Sequence, residues 1–157
     1  MLIKDLAKKT QLVRVFDCDL TPGFSVEISY LGKKEITQLY TRSSKLAYNP
    51  STHVREDKLD QEKFDRLFAL QVILGWSGLT VGKLKQLVPV EGDVADDQII
   101  EFSEENAIDL VSTSTTFNGW LSTVCMELEN FIAEREATEK NSPPISKGAK
   151  KIEAFEA

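Results

Sequence analysis

Few residues in this 157-residue chain could do covalent or metal chemistry, and their spacing argues against it. His53 is the only histidine and lies in a polar segment, with no second histidine or paired cysteine to share a zinc ion. Cys18 and Cys125 are far apart and form no C-x-x-C pair, the pattern of two reduced, structural thiols rather than of a disulfide framework. Asp93, Asp96 and Asp97 are closely spaced carboxylates, but they miss the register of a calcium-binding loop. No G-x-S-x-G elbow, Walker loop or G-x-G-x-x-G turn is present. Gly75-Trp76-Ser77-Gly78 is too short for a phosphate cradle and lacks the Lys-Ser/Thr that would follow one. The expectation is a protein without catalytic residues, cofactor or metal.

Recognition chemistry is better represented. Gly75-Trp76-Ser77-Gly78-Leu79 sets a tryptophan between two glycines, either as a plug at the end of an apolar helix or as an anchor for a partner helix. Trp76, Leu79, Leu84 and Leu87 are the candidate partner-binding residues, lining a groove for such a helix. Between Glu91 and Asp109 there are eight acidic side chains and no basic one, whereas residues 1–45 carry eight Lys or Arg against five Asp or Glu. The acidic stretch is either a solvated loop or a surface that steers a basic partner. A net charge of −6 without a basic cluster argues against nucleic-acid binding.

The elements that would position these groups read as α+β, a mostly helical body with an N-terminal β-hairpin. Leu12-Val13-Arg14-Val15-Phe16-Asp17-Cys18 is rich in branched and aromatic residues, as strands are. A Thr21-Pro22-Gly23 turn follows, then strict alternation from Phe24 to Tyr30, with Phe24, Val26, Ile28 and Tyr30 on the buried face. Residues 33–44 carry Ile36, Leu39 and Tyr40 at helical spacing, and Asn49-Pro50-Ser51-Thr52 breaks the chain. A longer helix is expected from about Asp57 through Leu59, Phe64, Leu67, Phe68, Val72 and Ile73, stopped by Gly75-Trp76-Ser77-Gly78. Ile99-Ile100-Glu101-Phe102 reads as a short strand or an extended docking segment, and Ser103 as an N-cap ahead of Glu104 and Glu105. A break is expected within 112–116, and then one helix whose stripe is Phe117, Leu121, Val124, Leu128, Phe131 and Ile132. The expected organisation is a single domain over 1–139 and a mobile tail over 140–157. No apolar run is long enough to span a bilayer, and the N-terminus lacks the features of a signal peptide.

The order of these segments resembles the tail assembly chaperones of long-tailed (siphovirus-like) bacteriophages and prophages. The resemblance rests on the hairpin ending in Gly23-Phe24-Ser25-Val26-Glu27-Ile28-Ser29-Tyr30-Leu31 and on Val72-Ile73-Leu74-Gly75-Trp76-Ser77-Gly78-Leu79. It also rests on Phe102-Ser103-Glu104-Glu105-Asn106 and on Phe117-Asn118-Gly119-Trp120-Leu121 through Phe131, and it covers roughly residues 12–135. It implies a non-catalytic factor of the host cytoplasm, active in viral morphogenesis, that binds the tape-measure protein and helps recruit tail-tube subunits. It also implies that a longer, frameshifted form exists in many such phages. No nucleic-acid or membrane partner is expected, and self-association is left open. The alternative is a small structural tail or neck protein retained in the virion; an acidic adaptor outside phage biology is a third reading.

Overall fold

A computed structural model describes residues 1–7 and 11–132 of the chain. The expected tail over 140–157 lies outside the described residues. The fold is α+β, with two antiparallel sheets, of which the three-stranded one is packed by α3. In chain order the elements are α1 (Ile3–Leu6), β1 (Val13–Asp17), β2 (Ser25–Ser29), α2 (Lys33–Ser43), β3 (Ser44–Asn49) and β4 (Val54–Leu59). They continue with α3 (Gln61–Val72), β5 (Ile73–Ser77), α4 (Val81–Leu84), α5 (Glu104–Thr113) and α6 (Thr115–Met126).

The alternation from Phe24 to Tyr30 does what a period of two dictates. Phe24, Val26 and Ile28 are fully buried, and β2 becomes the central strand of a sheet ordered β1-β2-β5. Both pairings are antiparallel, with Phe16 opposite Val26 and Val26 opposite Trp76. The expected N-terminal hairpin is therefore two strands of a three-stranded sheet, not a hairpin laid on helices. Its third strand comes from the stretch expected to end the long helix.

That helix is shorter at both ends than its pattern suggests. Asp60 caps α3 by accepting from the Lys63 amide, so residues 57–59 stay in β4. At the other end Val72 is the last helical residue, and Ile73 enters β5 with no connecting loop. An apolar run buried on all sides carries no period, so Val72-Ile73-Leu74 gives the same signal in either conformation. α3 lies between α2 and α5 and also touches β2 and β5. Phe68, Ala69 and Val72 are its buried face.

β3 and β4 form a separate two-stranded antiparallel sheet that the sequence reading missed. It rises from the ends of α2 and α3, and most of its residues are exposed. Ser114 ends α5 and begins α6, its hydroxyl accepting from the Phe117 amide. The last expected helix is broken as well. Glu127 leaves helical geometry, helical residues resume over 128–132, and Leu128 faces outward at 42% exposure while Phe131 is buried. Phe131 then sits edge-on to both Phe16 and Tyr30, closing one end of the sheet. In the core Phe24 stacks on Phe117, and the same cluster holds Phe68, Ile28, Leu39, Leu79 and Leu121.

Candidate functional site: an open cavity beside Trp76

β5 forms one edge of the sheet, and Trp76 lies close to its end. The amide of Cys18 donates to the carbonyl of Phe24, which makes Phe24 and Val26 the residues whose main chains face β1. Ser25 and Glu27 therefore face β5, where they pair with Ser77 and Gly75. By the same alternation the main chain of Trp76 faces the outer edge, and the register shifts beyond Gly75, where Ile28 pairs with Ile73.

The indole of Trp76 is half-buried and held on three sides. Phe24 and Phe102 meet it edge-on, with centroids 5.7 and 5.3 Å away, and its N–H donates to the Ile100 carbonyl at 3.0 Å. Such a ring has little rotational freedom left to lose on binding.

The segment holding that carbonyl is pinned by a short irregular ladder. Ile100 N–H donates to Leu79 O, Val81 N–H to Gln98 O and Gly82 N–H to Asp96 O, each at 2.9 Å. Between this segment and the end of β5 lies an open cavity of about 490 Å³, lined by Trp76, Ser77, Gly78, Ile99, Ile100, Glu101 and Phe102. Ile99 stands at its rim with 68% of its surface exposed. Glu101 is the acidic group in the lining, and Asp96 is bound by Lys85 at 2.6 Å.

The four residues assigned to a groove by sequence separate here. Trp76 lines the cavity. Leu84 is half-buried and packs on the core. Leu79 and Leu87 are 1% and 7% exposed and belong to the core, so they present no surface to a partner in this conformation. Both belong to the buried cluster that includes Phe24 and, from β2, Val26 and Ile28, and α4 between them is capped by the Thr80 hydroxyl. Ile99 and Phe102 are the cavity residues that a helical-groove argument does not reach. Their signal is present in the sequence, as an apolar pair and an aromatic inside an acidic stretch.

No protein-family model, curated protein or solved structure matches the chain. The site is therefore read from its own chemistry. Among the described residues no cluster of three His, Cys, Asp or Glu could hold a metal ion. His53 lies away from the cavity, its Nδ1 in a 2.7 Å hydrogen bond with the Tyr48 hydroxyl. Cys18 and Cys125 are buried free thiols. Burial raises the pKa of both, that of Cys125 to about 12, against weaker lowering by backbone hydrogen bonds. A thiol so protonated is a packing group at neutral pH, not a nucleophile. What the cavity offers is the Trp76 indole, the exposed Ile99, one carboxylate, a lining more polar than apolar in its accessible surface, and an open mouth. That suits an inserted side chain of another chain better than an enclosed small molecule.

Proposed function

We propose that this protein is a non-catalytic binding protein of the tail-assembly-chaperone kind. In this reading it binds the tape-measure protein in the host cytoplasm and helps recruit tail-tube subunits. The observation that carries the reading is the cavity at the β5 edge, where an immobilised Trp76 lies beside the exposed Ile99. A tape-measure chain is long and helical and exposes apolar stripes before it is enclosed, so it needs partners that cover single large side chains at intervals. An apolar side chain inserted against Trp76 would be desolvated on one face by the indole and on the other by Ile99 and Phe102. Basic residues flanking it would meet Glu101 and the acidic stretch around it. Among the described residues no helix is long and apolar enough to cross a membrane.

The test is co-expression with the tape-measure protein of the same gene cluster, scored by solubility and co-purification. The proposal expects a soluble complex that Ile99→Asp weakens without unfolding the chain. A tape measure that stays insoluble, with this protein abundant in purified particles, would replace the chaperone by a structural tail or neck subunit.

A further inference from the structure

The β3–β4 arm is an unusual thing to leave bare. A two-stranded sheet is marginal in water by itself, yet this one projects with Leu46, Tyr48 and Val54 exposed at 65%, 60% and 55%. Its two edges differ in chemistry. β4 presents Arg55, Glu56, Asp57 and Lys58 in succession, the run of charges that keeps an edge strand from pairing. β3 reads Ser44-Lys45-Leu46-Ala47-Tyr48-Asn49, with a single charge. Among the described residues no strand pairs with its outer side.

The main chain fixes which groups that edge offers. The Asp60 amide donates to the Ser43 carbonyl, so the odd-numbered residues of β3 bond to β4. The N–H and C=O groups of Ser44, Leu46 and Tyr48 therefore point outward. We propose that β3 pairs with β3 of a second copy of this chain, antiparallel across a two-fold axis at Ala47, giving a four-stranded sheet ordered β4-β3-β3-β4. In that register Leu46 of each copy exchanges both main-chain bonds with the second copy's Tyr48. Both side chains lie on one face, so an aliphatic–aromatic pair forms twice. Lys45 falls opposite the second copy's Asn49. Moving the axis to Leu46 would instead set the two Lys45 side chains diagonally on one face, within about 8 Å, where like charges repel. The inference is independent of the chaperone reading, because the arm and the Trp76 cavity share no residue.

Sedimentation of the full chain, with two sets of variants, tests it. The expected result is a concentration-dependent species of twice the chain mass. Leu46→Pro leaves the bonds within the hairpin intact, because the Leu46 amide points outward, and should weaken the dimer roughly tenfold or more by removing a bond from each copy. Ala47→Cys places two thiols across a non-hydrogen-bonded pair with α-carbons about 4.5 Å apart, within disulfide reach, so mild oxidation should link the copies. Lys45→Cys places them on the order of 13 Å apart and should not link. A single-chain mass at every concentration overturns the proposal. So does a dimer indifferent to Leu46→Pro, or one that Lys45→Cys links as readily as Ala47→Cys.

Discussion

Gly78 approaches the carbonyl oxygen of Gly23 so closely that no side-chain carbon fits between them. Both glycines have positive φ, +80° and +91°, and the Lys83 ammonium donates to the Gly78 carbonyl at 2.8 Å. The turn between β1 and β2 and the exit of β5 are thus in backbone contact beneath the Trp76 cavity.

Gly78→Ala must strain φ and also push one backbone segment off another. A loss of about 2–4 kcal/mol is expected in urea unfolding. Gly92 has φ +98° but nothing within 4 Å of an added carbon, so Gly92→Ala should lose only about 1 kcal/mol. Equal losses at the two positions would mean that the contact contributes nothing.

Trp76→Phe removes the hydrogen bond to the Ile100 carbonyl while keeping an aromatic ring between Phe24 and Phe102. About 1 kcal/mol of stability should go with it. Faster amide exchange at Ile100 and Val81 should report the loosening of the 96–100 ladder. If the exchange is unchanged, the indole does not hold that segment.

Ser114→Ala should cost about 1–2 kcal/mol, the upper part of the range for a lost N-cap, because the freed Phe117 amide is buried and water cannot replace the hydroxyl. Ser103→Ala, whose cap bond to Asn106 is exposed, should cost less. Thermal unfolding of the two variants side by side gives the comparison.

Burial raises the Cys125 thiol from an ordinary value near 9 to about 12. The folded state holds this proton more tightly than the unfolded chain does. Its contribution to stability is therefore complete below pH 9 and is lost as pH rises between 9 and 12. Cys125→Ala should flatten the alkaline slope of stability in that window, while Cys18, raised in the same direction by burial, contributes separately. A thiol reagent should likewise modify the native chain no faster than it unfolds.

How much of this was legible in the sequence follows from which residues are buried on one side only. β2 could be read from Phe24-Ser25-Val26-Glu27-Ile28, because one face is core and the other is wet. α2 could be read from Ile36 and Leu39 for the same reason, although Tyr40, at the same spacing, is 49% exposed. The β3–β4 arm could not, since both its faces are exposed and Val54-Arg55-Glu56-Asp57-Lys58 shows no alternation. β5 was hidden for the opposite reason, as a continuation of the apolar end of α3. At the site, Trp76 was legible by type and setting. Leu79 and Leu87 were not separable from a docking stripe, because a leucine facing the core and one facing a partner have the same spacing. Leu79→Ala should accordingly cost about 2–5 kcal/mol of stability, and any loss of binding should follow from unfolding.

The joint between Val72 and Ile73 contains no spare residue. Most strand–helix connections have a few residues of slack, so that one element can shift while the other stays in place. Here the buried helix face and the strand carrying Trp76 are consecutive links of one taut chain. The far end of α3, with only Asp60 between it and Leu59 of β4, is the root of the β3–β4 arm, so one helix joins the arm to the strand that carries Trp76.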